Sequence, residues 1–185
     1  MNRIRALAFA FVFTFSLGCH AADGFSLSSP TVKAESQLTN DQVFNGFGCE
    51  GKNISPALVW KNAPKGTRSF AVTVYDPDAP TGSGWWHWVV VNIPATVTKL
   101  DEGAGDRSGK SLPEKAMHIR TDFGYAGFGG ACPPKGDKPH RYIFTVFALK
   151  TEKLDLPPDA TAALAGFMIH GEVIAKASFT AYYGR

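Results

Sequence analysis

Two neighbouring apolar segments, residues 69–76 and 85–92, constrain most strongly what this chain can fold into. In the first, Phe70, Val72 and Val74 recur at every second position, which is the side-chain period of a β-strand. The second is an almost continuous apolar run rich in β-branched residues, which is typical of a strand covered on both faces. The pair therefore predicts two adjacent, buried strands.

Polar side chains stand where these strands end. Asp76 and Asp78 close the first strand, His87 opens the second, and the prolines and glycines between them favour a loop. His140 stands just before a third long apolar strand, predicted over residues 142–149. Because such loops join adjacent strand ends, we expect these polar residues to form a candidate site.

The first 22 residues have the pattern of a secretory signal peptide. A start carrying Arg3 and Arg5 precedes an uncharged apolar stretch and a zone of small residues that ends at Ala22. The apolar stretch is shorter than the about 20 residues that a stable membrane span needs. We therefore expect cleavage within this zone, a single domain over residues 23–185, a periplasmic or secreted location and no transmembrane segment.

A lipoprotein is the less favoured alternative for the same segment. Leu17-Gly18-Cys19 resembles the end of a lipobox, but Ser16 stands where a lipobox usually carries leucine. Cleavage removes two arginines, so the formal charge falls from +3 to +1. This balance gives no sign of the clustered basic face that binding to nucleic acid or to an anionic membrane surface requires.

Cys49 and Cys132 are the cysteines that remain after cleavage. An even pair in an exported protein favours a disulfide, and its closure over 83 positions stabilises the fold by roughly 4 kcal/mol in the loop-entropy model. Two free thiols are the alternative, which is disfavoured because exported thiols are exposed to oxidation.

The remaining segments predict short strands and peripheral structure. Short apolar segments at 25–27 and 57–60, separated by turn signals, indicate an antiparallel architecture. Residues 44–49 are predicted to form a surface loop. Residues 99–113 are predicted to face solvent, and the chain is expected to leave the sheet at 93–95.

One helix is predicted near the end of the chain, after start signals at 157–159 and before a stop at Gly171. Leu164, Phe167 and Met168, at i, i+3 and i+4, are expected to form its buried face. A further helical turn over 172–176 and a closing strand over 177–183 would follow.

The candidate site has the chemistry of a small-anion pocket. Protonated histidines would supply charge, and a tyrosine hydroxyl and the backbone N–H groups of the glycine-rich segment 125–139 would supply direction. Phosphate or a phosphomonoester fits these groups.

Three sequence blocks resemble, in order and spacing, signature blocks of the phosphatidylethanolamine-binding protein family. The similarity runs from about Phe25 to Tyr183 and is strongest to the exported bacterial branch, known as Raf-kinase-inhibitor-like proteins. The blocks are Asp76-Pro77-Asp78-Ala79-Pro80, His87-Trp88-Val89-Val90-Val91-Asn92, and Pro133-Pro134-Lys135-Gly136 with His140-Arg141-Tyr142-Ile143-Phe144.

The resemblance implies a mainly β fold, with a large antiparallel sheet packed on a smaller sheet and a few peripheral helices. It also implies a pocket for small anions and phospholipid head groups. Pro80 would shape the pocket rim and Asp78 would support the adjoining loop. The residues expected to bind the ligand are Asp76, His87, Gly127, Pro133, His140 and Tyr142. The chain departs from the eukaryotic pattern at 128–132, where five residues precede the two prolines.

These observations predict a binding protein that does not catalyse a reaction, needs no cofactor or metal, and has a possible protein partner that it regulates. No local metal-ligand spacing and no G-x-S-x-G motif occurs in the sequence. Two alternatives stay open. The first is a hydrolase that uses His87 and His140 as acid and base near Asp76, and the second is an interaction or inhibitor module acting through its outer surface. The sequence sets no expectation for the oligomeric state.

Overall fold

The computed structural model describes residues 24–185. Within this range the chain forms ten strands, one α-helix and a single-turn 3-10 helix. The elements are β1 (Ser26–Ser28), the 3-10 helix (Asn40–Gln42), β2 (Asn45–Gly46), β3 (Cys49–Glu50), β4 (Leu58–Lys61), β5 (Ser69–Asp76), β6 (Trp85–Pro94), β7 (Lys99–Leu100), β8 (Met117–His118), β9 (His140–Leu149), α1 (Ala162–Glu172) and β10 (Val173–Tyr183).

An antiparallel five-stranded sheet, in the order β10-β9-β5-β6-β8, forms the centre of the molecule. Strand β5 is its middle strand and is buried along almost its whole length. Phe70, Val72 and Val74 belong to one apolar cluster, whereas Ala71 belongs to a second cluster on the opposite face. The predicted strand and its alternation are therefore confirmed.

A smaller three-stranded sheet, in the order β1-β4-β7, packs against one face of the large sheet. Leu58, Trp60 and Leu100 from the small sheet share an apolar cluster with Phe70 and Trp88 from the large sheet. Burial of such large apolar side chains between two sheets is the main driving force for this arrangement. The mainly β fold with a large and a small sheet is thus as predicted.

The helix α1 covers the opposite face of the large sheet, with a buried side that differs from the predicted one. Ala162, Ala165 and Ile169 face the sheet, whereas Leu164 and Phe167 are 39% and 75% exposed. The prediction was wrong because small alanines let the helix lie close to the sheet. Leu164 and Phe167 point outward instead, whereas Met168 is half-buried against the apolar cluster on this face of the sheet.

Three other local predictions were wrong. The further helical turn predicted over 172–176 does not form, because the helix ends at Glu172 and β10 begins at Val173 and pairs along β9. Residues 45–50 form the two-stranded hairpin β2–β3 within the predicted loop. Leu100 is buried in the small sheet, so the segment 99–113 does not lie wholly in solvent.

The strand β6 also continues to Pro94, past the predicted exit from the sheet. Phe70 lies opposite Ile93 and Val72 lies opposite Val90, so β6 carries one extra residue at this point. Asn92 has a φ of 59°, which is a left-handed conformation typical of a bulge. The bulge returns Ile93 to the same apolar cluster as Phe70.

Between residues 24 and 185, no helix has the length and apolar character that a membrane crossing requires. The predicted signal peptide lies outside the described residues.

Candidate functional site

A cavity of about 160 Å³ lies where β5 ends and where β6 and β9 begin. Its position follows from the antiparallel pairing of these three strands, which brings both neighbours of β5 to the same edge of the sheet. Six residues that the sequence assigned to the site line the cavity together: Asp76, Pro80, His87, Pro133, His140 and Tyr142.

A second β-bulge accompanies the placement of His87 against the cavity. Trp86 lies opposite Tyr75 and Trp88 lies opposite Val74, so His87 is the extra residue on β6. Such a bulge redirects the side chain that it carries. Trp88 packs in the apolar cluster beneath the cavity and His87 lies against the cavity itself.

His87 is held by two reciprocal hydrogen bonds to Gly129. The imidazole Nδ1 donates to the Gly129 carbonyl at 2.7 Å, and the Gly129 N–H donates to the His87 carbonyl at 2.8 Å. Because a carbonyl can only accept, Nδ1 carries the proton, and the neutral ring keeps a lone pair on Nε2. Burial lowers the pKa of His87, so the ring is neutral at pH 7.

A buried carboxylate and imidazole face each other on the adjacent strands. His140 Nδ1 donates to Asp76 Oδ2 at 2.7 Å, and the Asp78 N–H donates to Asp76 Oδ1 at 2.8 Å. Both oxygens of the Asp76 carboxylate therefore have a donor. On the outer side, His140 Nε2 lies 3.4 Å from the half-exposed Asp137 carboxylate.

The Tyr142 hydroxyl is a fully buried polar group beside the cavity. It is buried and makes no hydrogen bond within residues 24–185. Burial, reinforced by the negative charge of Asp76, raises its pKa, so the hydroxyl keeps its proton. Its ring meets the His87 ring edge-on at 5.0 Å. A buried donor without an acceptor is costly.

Asp78 supports the loop and does not line the cavity. Arg141 Nε and Nη2 donate to the two oxygens of Asp78 at 2.9 and 2.6 Å, and the Arg141 backbone N–H donates as well. This fork holds the pKa of Asp78 at about 2. It joins the loop after β5 to the start of β9.

Aromatic side chains that the sequence analysis did not select form the rim of the cavity. Phe47, from the hairpin between β2 and β3, stacks on Phe123 at 5.9 Å, and Trp85 meets Phe123 edge-on at 5.5 Å. Phe47 is nevertheless 68% exposed. The sequence could have indicated this role, because Phe47 is a bulky apolar residue within a polar, glycine-rich loop. Such a loop is not expected to place its side chains in the core.

Cys49 and Cys132 form a disulfide in this structure, with their Cα atoms 6.0 Å apart. Cys132 lines the cavity next to Pro133, and Cys49 opens strand β3 directly after the rim residue Phe47 and Gly48. The disulfide therefore joins two loops that border the cavity.

The match to known proteins decides the family. The family model for phosphatidylethanolamine-binding protein matches residues 28–184. The chain belongs to this family.

Two bacterial relatives resemble the chain over nearly their full lengths. Protein YbcL of Escherichia coli is 56% identical over 180 residues, which are 97% of this chain and 98% of YbcL. Protein YbhB of Escherichia coli is 51% identical over 158 residues, which are 85% of this chain and 98% of YbhB. The crystal structure of YbcL, described as a new member of the mammalian PEBP family, has a TM-score of 0.86 and 60% identity, over 87% of this chain and 98% of that one.

One residue carried over from the family pattern lies elsewhere. Gly127 does not line the cavity. It is buried with a φ of 124°, and a Cβ there would lie 3.0 Å from the Gly105 carbonyl. Gly129 instead contacts two residues that line the cavity, since it is hydrogen-bonded to His87 and a Cβ there would lie 2.3 Å from the Phe123 ring.

The wall at Pro133 and Pro134 also differs from the expectation of backbone donors. Proline has no N–H, so these residues give the cavity apolar surface. No cluster of three or more histidine, cysteine or acidic side chains in residues 24–185 is arranged to hold a metal ion.

Proposed function

We propose that this protein is an exported binding protein that holds a small anionic or phosphorylated group and performs no catalysis. The observation that carries the proposal is the Tyr142 hydroxyl, which is buried against the cavity and has no partner within the described chain. The anion would be a free phosphomonoester or the head group of a phospholipid, because both present the same phosphoryl oxygens.

The hydrogen-bonding groups around the cavity favour an acceptor-rich ligand. Tyr142 offers its hydroxyl proton, and His87 offers Nε2–H once the imidazole is protonated. The Asp76 carboxylate already accepts from His140 and from the Asp78 N–H, so neither of its oxygens is without a donor. An entering anion would therefore satisfy the unpaired donor at Tyr142 and would favour the charged form of His87.

The size and rim of the cavity favour a small group attached to a larger apolar one. About 160 Å³ is below the roughly 300 to 1,000 Å³ of pockets that enclose drug-sized ligands. The space suits a phosphate-sized group. The Phe47, Phe123 and Trp85 rings at the rim would contact whatever extends outward from it.

The same geometry disfavours hydrolysis by a protein nucleophile. Among the described residues that line the cavity, the candidate thiol nucleophile is Cys132, and its sulfur is bonded to Cys49. The Thr81 hydroxyl donates to the Gly84 carbonyl. Among residues 24–185, the Asp76–His140 pair therefore has no activated hydroxyl or thiol beside it, as nucleophilic catalysis would need.

Two observations support export. A disulfide beside the cavity suits an oxidising compartment. The family model begins at residue 28, so the proposed signal peptide lies before the matched region. We therefore assign residues 1–22 to a signal peptide and residues 23–185 to one domain.

Calorimetric titration of the mature protein tests the binding proposal. The titration compares four ligands: sulfate, phosphate, phosphoethanolamine and a short-chain phosphatidylethanolamine. Sulfate is included because its charge is constant near neutral pH. We expect binding in the wild type, loss in His87→Ala, and retention in His170→Ala, whose imidazole lies on the exposed side of α1. Absence of binding in the wild type, or equal binding in His87→Ala, would contradict the proposal.

The pH dependence and a turnover assay separate binding from catalysis. Because burial lowers the pKa of His87, sulfate binding should require proton uptake and should tighten as the pH falls below 7. Hydrolysis of a phosphomonoester that is abolished by His87→Ala would favour the hydrolase instead.

A further inference from the structure

The two loops that form the mouth of the cavity are joined a second time, by Arg185. Its Nε donates to the Pro133 carbonyl at 2.6 Å. On the other loop, its Nη1 donates to the Gly48 carbonyl at 2.8 Å and its Nη2 to the Phe47 carbonyl at 3.3 Å. One guanidinium thus spans the same gap as the Cys49–Cys132 disulfide.

The backbone around Arg185 is itself fixed. The Gly136 N–H donates to the main-chain oxygen of Arg185 at 3.0 Å. Gly184 lies against Pro139, where a Cβ would approach ring and backbone carbons to 3.2 Å. The main chain that carries the Arg185 side chain is therefore held in place, so the guanidinium extends from an anchored segment.

The geometry of the contact suits arginine and not lysine. A guanidinium carries five N–H donors in a rigid plane, so it can bind three carbonyls on two loops at once. A lysine ammonium is a point charge on a flexible stem and does not reproduce this fork.

The loop bearing Phe47 has few other restraints. The β2–β3 hairpin consists of two residue pairs, Asn45 with Glu50 and Gly46 with Cys49. A short two-stranded hairpin is marginal on its own. The position of Phe47 at the rim, 68% exposed, therefore depends on the disulfide, on Arg185 and on the ring contacts with Phe44 and Phe123.

We call Arg185 and its hydrogen bonds to the carbonyls of Phe47, Gly48 and Pro133 the clasp. The clasp also brings a permanent positive charge towards the site. Arg185 is the positive group that opposes the rise of the Tyr142 pKa. Unlike the two histidines at the cavity, a guanidinium keeps its charge at every pH of interest.

We propose that Arg185 is a positioning residue of the ligand cavity: it holds the Phe47–Gly48 loop against the Pro133 wall, in parallel with the disulfide, and so fixes the width of the mouth. This inference rests on the proposed function, since the mouth matters for binding when the cavity takes a ligand.

Hydrogen exchange measured by mass spectrometry tests the clasp without any ligand. In Arg185→Met, amides in segments 44–50 and 132–137 should exchange faster, while the core strands should exchange as in the wild type. The control is Arg68→Met, which removes the same charge from an exposed ion pair with Glu152 at the opposite end of β5. Combining Arg185→Met with Cys49→Ser and Cys132→Ser should accelerate exchange beyond the sum of the separate effects. Exchange in both segments that matches Arg68→Met would overturn the clasp.

Calorimetric titration with inorganic phosphate tests the link to binding. Arg185→Met should weaken phosphate binding by about fivefold or more, which is the lower end of typical coupling to a binding site. Arg185→Lys should restore little of the affinity, whereas Arg68→Met should bind as the wild type does. If His87→Ala abolishes binding but Arg185→Met leaves it unchanged, the role of Arg185 is overturned and the proposed function stands. If the wild type does not bind phosphate, both are overturned.

Discussion

His140 donates its Nδ1 proton to Asp76 across 2.7 Å, and the side chains of both residues are 4% exposed. The contact links the last residue of β5 to the first residue of β9, at the edge of the sheet where the cavity lies. A buried carboxylate and a buried imidazole thus stabilise each other. Each would be left without its partner if the other were removed.

The first prediction concerns this pair. Asp76→Ala leaves His140 Nδ1 without its acceptor in a buried position, so we expect a loss of about 3 kcal/mol in the free energy of unfolding. Urea denaturation provides the measurement. Asp155→Ala, which removes an exposed carboxylate paired with Lys153, is the control and should change stability little. A cost for Asp76→Ala no larger than that control would contradict the structural account.

The second prediction separates stability from binding at Tyr142. Because its hydroxyl is buried without a partner, Tyr142→Phe should stabilise the unliganded protein by about 1 kcal/mol while weakening anion binding. Tyr75→Phe is the matched control, since the Tyr75 hydroxyl donates to the Ser83 carbonyl at 2.8 Å. That substitution should not stabilise the protein. Thermal unfolding and anion titration of both variants measure the two effects, and a destabilised Tyr142→Phe that binds normally would rule out the assigned role.

The third prediction is a loss of stability in mild acid. His118 Nδ1 accepts from Trp88 Nε1 at 3.2 Å, and its Nε2 donates to the Asp106 carbonyl at 3.1 Å, so the ring is held neutral. Burial lowers the pKa of both His118 and His87. The unfolded chain therefore takes up protons below about pH 6.5 that the folded chain resists, and stability is lost as the pH falls through the folded pKa.

His118→Asn, which keeps a neutral side chain, should reduce this acid dependence. Urea unfolding between pH 7.5 and pH 5 measures it. An acid slope in His118→Asn as steep as in the wild type would show that His118 does not contribute.

The fourth prediction concerns the disulfide. In the loop-entropy model a closure over 83 positions contributes roughly 4 kcal/mol. Cys49→Ser with Cys132→Ser should therefore lower Tm by about 10 °C. Mass spectrometry of the mature protein without reductant should find the two cysteine peptides cross-linked, and free thiols in both would disprove the pairing.

Regular alternation made the central sheet predictable from the sequence. The period-two pattern of Phe70, Val72 and Val74 predicted both the strand and the face that these three residues share, because successive side chains of a strand point to opposite faces. The side chains of Asp76 and His140 meet because adjacent antiparallel strands place them at one edge. Local pattern and fold agree at these positions.

Features that depend on tertiary contacts were not predictable in the same way. The orientation of His87 follows from a bulge, which leaves no periodic signal. The helix buries Ala162, Ala165 and Ile169 because small side chains let it pack closely on the sheet. This close packing outweighs the greater apolar area that burial of Leu164 and Phe167 would provide. Arg185 has no neighbouring motif, and its role emerges from three carbonyls on two distant loops.

A crystal structure of the mature protein grown with phosphate tests the central claim most directly. The account predicts phosphate density in the cavity, with oxygens within hydrogen-bonding distance of Tyr142 Oη and His87 Nε2, and loss of that density in His87→Ala crystals grown under the same conditions. A cavity that holds water alone, with phosphate bound at exposed lysines or nowhere, would contradict the account.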